Sequence, residues 1–466
     1  METILIVGGG ITGLSVVYTL EKEAAKQKRD LKLLLVDSAA QLGGKIRTVK
    51  ENGFIMETGA DSIVARKMKD SGLIEELELE EEAVYNAVGT SFLFREGELK
   101  QIPRDSVFGI PTSIQSLAES PLLSDHGKVE ALKDFYINDR KFTEHDSIGE
   151  FLEYYLGKEL VEKQIAPVLS GVYSGTLHNL TIASTLPYVL EYKEKYGSIM
   201  KGFATNKNQF LGKDDKKFLS FNNGLSTIID AMANRLEKTE IWLEHEVEQI
   251  NKTDGKGYKV YFTNGKVVEA DSIVLSIPHN HASRLFSDKE LHEEFSKIKT
   301  SSLISVYVGY SVSDGVLPEN GTGYIAPDND LFCNACTWTS RKWEHTSKGG
   351  NLLIRLFYKS SHPRFSEIKD LNDKDLLKIA KADIEKSLHI NAEPVVSTVT
   401  KWTDQMPTYQ ITHPDTVSSL EEQFAQKYPD IFLAGCSYYG VGIPDCIENG
   451  KEIAKKISEH VLLKQN

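Results

Sequence analysis

The sequence predicts an α/β fold, with mixed α+β character outside its N-terminal part. Residues 4–7 and 33–36 are short runs of Ile, Leu and Val without a polar side chain. Such runs are typical of parallel strands that are buried on both faces. Between them, from about 13 to 28, lies a stretch rich in Leu, Val, Ala, Glu and Lys, which predicts a helix. Together the three segments indicate a βαβ unit.

A glycine-rich turn joins the first predicted strand to the helix. It matches G-x-G-x-x-G and consists of Gly8, Gly9, Gly10, Ile11, Thr12 and Gly13. In this pattern the first glycine permits a tight turn, the middle one lets a pyrophosphate approach the backbone, and the last lets the helix pack closely on the strand. The N-terminus of the helix then offers free N–H groups and a positive dipole to phosphates. The context predicts a Rossmann-type dinucleotide site.

Asp37 and Ser38 follow the second predicted strand. A carboxylate at this position can accept hydrogen bonds from the ribose hydroxyls of adenosine and would repel a 2′-phosphate, so NADP is disfavoured. No second G-x-G-x-x-G follows a strand, so we predict no site for NAD(P)H. Electrons would therefore leave through O2 or a diffusible acceptor.

Further glycine-rich segments favour FAD. Paired glycines with a cation nearby, Gly43, Gly44 and Lys45, can pass close to cofactor phosphates. The order of segments resembles FAD oxidoreductases of the glutathione-reductase type, particularly the amine oxidase and protoporphyrinogen oxidase group. This resemblance implies that a strand and turn near the isoalloxazine contain Gly59, Ala60, Asp61 and Ser62. It also implies that the C-terminal strand, loop and helix reach the flavin through Gly435, Gly442, Ile443 and Pro444, with the helix predicted from Glu448 to about Leu463. The alternatives are a surface hairpin and an ordinary βα unit.

The same resemblance divides the chain into three domains. It places the turn at 221–225 before a helix, and it places Val247 on a strand that meets the adenine. The Rossmann-type FAD-binding domain, of the glutathione-reductase and amine-oxidase kind, is predicted at 1–84, 206–282 and 425–466. A substrate domain with a mixed sheet is predicted at 85–103 and 283–424, and a mostly helical domain at 104–205.

Two motifs outside the predicted FAD-binding segments indicate a more specific family within this group. Residues 167–175 read P-V-L-S-G-V-Y-S-G, and residues 402–413 follow the pattern W-x3-M-P-x-Y-x3-H. With G-V-G-I-P-D-C-I at 440–447, they resemble the oxygen-dependent porphyrinogen oxidases, most closely the soluble Gram-positive form that acts on coproporphyrinogen III. The resemblance implies a six-electron oxidation to coproporphyrin III in haem synthesis, with non-covalent FAD, O2 as acceptor and H2O2 as by-product.

No catalytic side chain is predicted, because the flavin carries the chemistry. Arg66 and Lys67 are candidate partners for substrate carboxylates, with a solvated helix start as the alternative. Tyr173 and Phe203 are candidate pocket walls, although core packing is the stronger interpretation for each alone.

Two residues of the second motif are candidates near the cofactor. Trp402 is predicted to reach the flavin, with plain core packing as the alternative. His413 either assists proton release or bonds a backbone carbonyl, and we favour the second interpretation.

Composition restricts partners and location. The net charge is −13, from 54 Lys and Arg against 67 Asp and Glu, which argues against nucleic acid as a partner. Four cysteines are too few for a secreted disulfide scaffold, and Cys333 and Cys336 are interpreted as ordinary half-buried thiols, so no metal site is predicted. Residues 3–20 carry no charge, but three glycines interrupt them, so we predict no membrane span and a cytoplasmic location.

Several alternatives stay open at this level. The substrate can be protoporphyrinogen IX instead, or the chain can be a flavin amine oxidase or a non-catalytic FAD-binding regulator. Peripheral membrane contact and transient contact with neighbouring haem-pathway enzymes are also compatible with the sequence.

Overall fold

The computed structural model describes residues 2–87, 89–103, 105–172, 176–210 and 217–465 of the 466-residue chain. Tyr173 therefore lies outside the described residues. The strands are β1 (Glu2–Val7), β2 (Leu31–Val36), β3 (Thr48–Glu51), β4 (Phe54–Glu57), β5 (Ile63–Val64), β6 (Ala83–Tyr85), β7 (Thr90–Arg95), β8 (Glu98–Gln101), β9 (Ser106–Val107), β10 (Ile110–Pro111), β11 (Phe218–Phe221), β12 (Glu240–Trp242), β13 (Val247–Lys252), β14 (Tyr258–Phe262), β15 (Val267–Ala270), β16 (Ser272–Leu275), β17 (Lys299–Ser313), β18 (Gly321–Ile325), β19 (Ala335–Trp338), β20 (Asn351–Lys359), β21 (Val396–Thr408) and β22 (Ile431–Leu433).

The chain also contains twenty α-helices within the described residues. They are α1 (Ile11–Lys26), α2 (Ala65–Ser71), α3 (Leu73–Glu76), α4 (Ile114–Ala118), α5 (Asp125–Ala131), α6 (Ile148–Leu156), α7 (Lys158–Leu160), α8 (Ala166–Val172), α9 (Ile182–Thr185), α10 (Tyr188–Tyr196), α11 (Ile199–Thr205), α12 (Lys207–Phe210), α13 (Ser226–Ala233), α14 (His279–Arg284), α15 (Lys289–Phe295), α16 (Thr339–Lys342), α17 (Phe365–Ile368), α18 (Asp373–Leu388), α19 (His413–Lys427) and α20 (Ile443–Gln465).

A parallel sheet forms the centre of the first unit. Its order is β12-β2-β1-β16-β22, and all four neighbouring pairs are parallel. Ile4 and Ile6 pack into the core with α1 and α20, whereas Leu5 and Val7 pack into the core on the opposite face, with α15 and α19. The apolar run is continuous because successive side chains enter two different cores, which confirms the prediction of burial on both faces.

Two predicted helix starts are wrong by a few residues. α1 begins at Ile11 rather than Gly13, because Gly10 is extended (φ −72°, ψ 177°) and the helix starts directly after it. α20 begins at Ile443 rather than Glu448. Pro444 stands in its first turn, where a missing N–H removes no hydrogen bond from the helix.

A mixed sheet of seven strands forms the second unit, in the order β21-β17-β20-β19-β18-β7-β8. Only β18 and β7 pair in parallel within it. Cys333 and Cys336 lie in its core as free thiols with 0% and 2% of their surface exposed. The expectation that they are half-buried is therefore wrong, because α18 packs over this face of the sheet.

The third unit is mostly helical and extends from α4 to α12, with the short pair β9–β10 before it. Together these units are the α/β fold with a mixed sheet and a helical region that the sequence predicted. Within the part of the chain that the structure describes, we find no helix with the length and hydropathy of a membrane span.

Candidate functional site

A cavity of about 770 Å³ opens at the carboxyl ends of the parallel strands. Val7, Val36, Ser276 and Ala434, at or just beyond the ends of β1, β2, β16 and β22, contribute to its wall. Ligands of open parallel sheets bind at this edge. The predicted cofactor residues that line the cavity are Gly8, Gly10, Ile11, Thr12, Asp37, Ser38, Gly43, Gly44, Lys45, Gly59, Ala60, Val247, Trp402, Gly435 and Ile443.

The glycine turn leaves space on its cavity side and none behind it. Gly8 has φ +108°, a conformation that favours glycine. A Cβ on Gly13 would lie 2.0 Å from the Gly8 carbonyl oxygen, so this glycine allows α1 to pack on the turn. At Gly10, by contrast, no atom of the described residues lies within 4 Å of a Cβ position. The turn thus forms a cradle with open space above Gly10, which fits a pyrophosphate.

The first turn of α1 adds an anion site. No side chain of the described residues caps its N-terminus, and its first turn contains no acidic residue. The backbone N–H groups of Ile11 and Thr12 therefore stay available to a ligand in the cavity, together with the positive end of the helix dipole.

Asp37 connects the cavity wall to the glycine turn. Its Oδ2 accepts a hydrogen bond from the Gly9 amide at 2.7 Å, and its Oδ1 accepts one from the Ala39 amide at 2.8 Å. A carboxylate has about four acceptor positions, so both oxygens can still accept ribose hydroxyls. Gly9 therefore contributes through Asp37 and does not itself line the cavity.

Lys45 crosses the cavity instead of standing beside the glycine turn. Its Nζ donates to the carbonyl oxygen of Gln405 and lies 3.4 Å from Cys436 Sγ. Gly43 donates to Gly9 O at 2.8 Å, and Gly44 faces Gly10 across the cavity floor. The paired glycines thus come close to the turn, while the cation lies towards β21 and the C-terminal loop.

The turn after β4 forms the opposite wall. Trp402 Nε1 donates to Thr58 O at 3.1 Å, and the buried Arg355 donates to Gly59 O at 2.8 Å. Asp61 and Ser62 do not line the cavity. Ser62 donates to Asp61, and Arg355 lies 3.8 Å from the Asp61 carboxylate. Burial opposes ionisation of Asp61, but nearby cations, Lys342 first, hold its pKa below the usual value.

The C-terminal loop closes the site at the N-terminus of α20. Gly435, Cys436, Ser437, Val441 and Ile443 face the cavity, but Gly442 and Pro444 do not line it.

The predicted bond of His413 to a backbone carbonyl is confirmed. Its Nε2 lies 3.0 Å from Ser437 O.

Several residues of the wall were not predicted. His281 and Arg284 of α14 and Glu246 before β13 surround the end of the cavity that Val247 lines. Arg47 lines the other end, with a buried Nε that has no hydrogen-bond partner among the described residues. A basic residue shortly after the paired glycines was a usable sequence signal for Arg47. No local pattern indicated α14, because its placement depends on packing after β16.

The predicted substrate residues that the structure describes, Arg66, Lys67 and Phe203, do not line the cavity. Arg66 and Lys67 are exposed at the start of α2, and Lys67 Nζ lies 2.7 Å from Asp445 Oδ1 in the first turn of α20. Phe203 is fully buried in the helical unit, with ring centroids 5.4 Å from those of Tyr192 and Phe210. That packing favours the core interpretation for Phe203, and contact of the exposed pair with substrate stays a prediction.

The parallel sheet and its glycine-lined cavity define a dinucleotide-binding α/β protein. A family model described as flavin containing amine oxidoreductase matches residues 11–458. The chain belongs to this family and is a flavin-dependent oxidoreductase.

Individual similar proteins carry more specific names than the family model does. Coproporphyrinogen III oxidase of Bacillus subtilis (strain 168) is 34% identical over 454 residues, which cover 96% of each chain. Coproporphyrinogen III oxidase of Staphylococcus aureus (strain NCTC 8325 / PS 47) is 29% identical, over 98% of this chain and 99% of that protein. A crystal structure from Exiguobacterium sp. 255-15, provisionally named a protoporphyrinogen oxidase, has a TM-score of 0.89 at 31% identity and covers 98% of this chain and 99% of that one. The predicted resemblance to porphyrinogen oxidases is confirmed.

Proposed function

We propose that this chain oxidises coproporphyrinogen III to coproporphyrin III, with non-covalent FAD in the cavity and O2 as the electron acceptor. The observation that carries the proposal is the glycine-lined cavity at the carboxyl edge of the parallel sheet, in a chain similar over nearly its whole length to coproporphyrinogen III oxidases. The proposal includes action in the cytoplasm, as part of haem synthesis.

The cavity residues fit the parts of FAD in order. The pyrophosphate would lie against the open face of Gly10 and the first turn of α1, and the adenosine between Asp37 and Val247. The isoalloxazine would lie between Ala60, Trp402 and the C-terminal loop. There the N-terminus of α20 offers positive potential to a reduced, negatively charged ring.

When bound, FAD supplies a hydride acceptor, so that a bridging CH2 of the porphyrinogen can lose a hydride while a pyrrole N–H loses a proton. Three two-electron rounds, with a tautomerisation that moves one proton from the fourth bridging carbon to a ring nitrogen, remove six hydrogens in all, four from the bridges and two from nitrogen. Three molecules of O2 take up these hydrogens as three molecules of H2O2. The chain's own part is to orient the macrocycle and to exclude water. Leu303, Trp402 and Met406 supply an apolar wall for this purpose.

The test uses the purified holoprotein under air with coproporphyrinogen III, followed by porphyrin fluorescence and peroxide release. We expect both signals to exceed autoxidation, and we expect the flavin-depleted protein to show neither. An increase in porphyrin fluorescence no faster than that from autoxidation alone would contradict the proposal. Denaturing the holoprotein should release all FAD into solution, whereas flavin retained on the chain would contradict non-covalent binding.

The choice of substrate needs its own comparison, since one similar structure carries a protoporphyrinogen oxidase name. We expect a higher kcat/KM for coproporphyrinogen III than for protoporphyrinogen IX, and equal values would refute that preference. Rapid oxidation of amines without porphyrinogen turnover would instead support an amine oxidase. A yellow protein without turnover of either class would support a regulator.

A further inference from the structure

The loop between β22 and α20, residues 435–442, is held from behind by side chains that do not enter the cavity. Gly435, Cys436, Ser437 and Val441 of this loop face the cavity. Its first amide, that of Gly435, donates to the buried Asn449 of α20 at 2.8 Å. Three further hydrogen bonds to the loop come from the segment that contains Tyr409 and His413.

The hydroxyl group of Tyr409 joins two points of the loop. It donates to Cys436 O at 2.8 Å and accepts from the Gly440 amide at 2.5 Å. Gly440 has φ +118°, so the chain turns sharply here in a conformation that favours glycine. One side chain thus fixes the distance between the start and the end of the turn.

His413 holds Ser437, which lies between Cys436 and Gly440 in this loop. The Ser437 carbonyl oxygen can only accept, so Nε2 of His413 is the donor in their 3.0 Å contact. The imidazole also stacks on the Tyr409 ring, with centroids 4.0 Å apart and 15° between the planes. Ser437 is held from the other side by the His279 amide, which donates to its Oγ at 3.1 Å. Ser437, His413 and His279 are all buried.

We propose that Tyr409 and His413 are positioning residues for the cofactor: they hold loop 435–442 so that its backbone and the N-terminus of α20 face the flavin. This inference rests on the proposed flavin site. Because neither side chain lines the cavity, both act through the loop and not by contact with the cofactor. It also gives a structural role to the second half of the W-x3-M-P-x-Y-x3-H motif.

The experiment measures FAD affinity of the apoprotein and the midpoint potential of the bound flavin in separate Tyr409→Phe and His413→Phe variants. Phe keeps an aromatic ring in the stack and removes the hydrogen bonds. We expect the Kd for FAD to rise about tenfold in His413→Phe, which loses one hydrogen bond to the loop, and at least about tenfold in Tyr409→Phe, which loses two. The midpoint potential should become more negative, because the helix dipole stabilises the reduced ring less.

The matched control is Tyr258→Phe. That hydroxyl also donates to a backbone carbonyl, of Pro429, but its strand position lies outside the cavity wall. The control should keep the wild-type Kd and potential, even if its melting temperature falls. Folding of every variant is checked by circular dichroism, and the two substitutions are tested independently so that a misfolded variant leaves the other to decide.

The outcomes separate the two proposals. Wild-type Kd and potential in both folded variants, with only a lower melting temperature, would reduce Tyr409 and His413 to a structural role and overturn the inference. A wild-type protein that binds FAD but does not oxidise porphyrinogens would overturn the proposed function alone, since the Kd comparison still decides the positioning role. A wild-type protein that binds no FAD would overturn both.

Discussion

At Gly13, an added methyl group would prevent the close packing of α1 on the glycine turn. A Cβ there would lie 2.0 Å from Gly8 O and 2.6 Å from Ser276 Oγ. Since backbone cannot yield as a flexible side chain does, α1 would move away from β1 and widen the phosphate cradle. The glycine is therefore required by packing behind the cavity and not by ligand contact.

We expect Gly13→Ala to destabilise the fold by about 1–3 kcal/mol, as overpacking does, and to weaken FAD binding at least about tenfold. Urea denaturation and FAD titration measure the two effects. Gly255→Ala is the control, because no atom of the described residues lies within 4 Å of a Cβ at that position. An unchanged Kd in a folded Gly13→Ala variant would show that α1 can shift without cost to the site.

Lys67 pairs with the first turn of α20, and its contact with substrate stays a prediction. It is exposed and lies 2.7 Å from Asp445, close to the cavity-lining Ile443 and Cys446. If it exchanges this partner for a substrate carboxylate, Lys67→Ala should raise KM for coproporphyrinogen III about threefold, the scale of an exposed ion pair, and leave kcat unchanged. Lys69→Ala on the same helix is the control, and an equal KM in both variants would assign Lys67 to the surface.

At the scale of elements, the β3–β4 hairpin is joined to the turn before α13 by a buried carboxyl group. Glu57 Oε1 accepts from the Leu225 amide at 2.8 Å, and Thr48 Oγ1 donates to Glu57 Oε2 at 2.9 Å. Burial raises the pKa of Glu57 to about 7, against these hydrogen bonds, which favour the ionised form. The protonated carboxyl group is therefore the form that the fold prefers at mildly acidic pH.

The sign of the pH dependence follows from this shift. A group whose pKa is higher in the folded chain stabilises it fully below the unfolded pKa, near 4.5, and loses that contribution as pH rises through about 7. Wild-type melting temperature should therefore fall from about pH 5 to about pH 8 more steeply than that of Glu57→Gln, which keeps an acceptor for Leu225. Glu51→Gln, exposed on the same hairpin, is the control. Parallel pH profiles of Glu57→Gln and wild type would contradict a buried, protonated Glu57.

Local pattern predicted the elements whose environment is set by neighbours in sequence. β1, α1 and β2 followed from apolar runs around a glycine turn, because burial on both faces leaves a visible composition. The start of α20 was missed because the glycines at 440 and 442 suggested loop, although a helix can begin directly after them. Cys333 and Cys336 were placed half-buried because nothing local shows that a distant helix covers their sheet.

For the site, too, local sequence patterns predicted some residues and long-range contacts placed the others. The glycines, Asp37 and Trp402 follow from motifs, but the support of Gly59 by Arg355 joins residues almost 300 positions apart. No periodicity reports such a contact, and the same holds for His281 and Arg284. These positions depend on how the two sheets dock, which is a property of the assembled chain.

At the scale of the whole molecule, the cavity wall combines segments from both ends and the middle of the sequence. The segments 7–12, 36–47, 276–285 and 434–446 each contribute some of the lining residues. A ligand in this cavity binds the native chain and not the unfolded one, in which these segments are separated. Binding must therefore stabilise the fold by RT ln(1 + [L]/Kd), about 2.7 kcal/mol at a hundredfold excess over Kd.

We therefore expect removal of FAD to lower the melting temperature of the whole chain and readdition to restore it in a concentration-dependent way. Each tenfold increase of FAD above Kd should add about 1.4 kcal/mol. NADP+ is the matched control ligand, because we expect the Asp37 carboxylate to repel a 2′-phosphate, and it should leave the melting temperature unchanged at the same concentrations. Equal stabilisation by NADP+ would contradict the role of Asp37. A melting temperature that does not depend on FAD would show that the cavity does not bind FAD. The cofactor assignment would then be wrong.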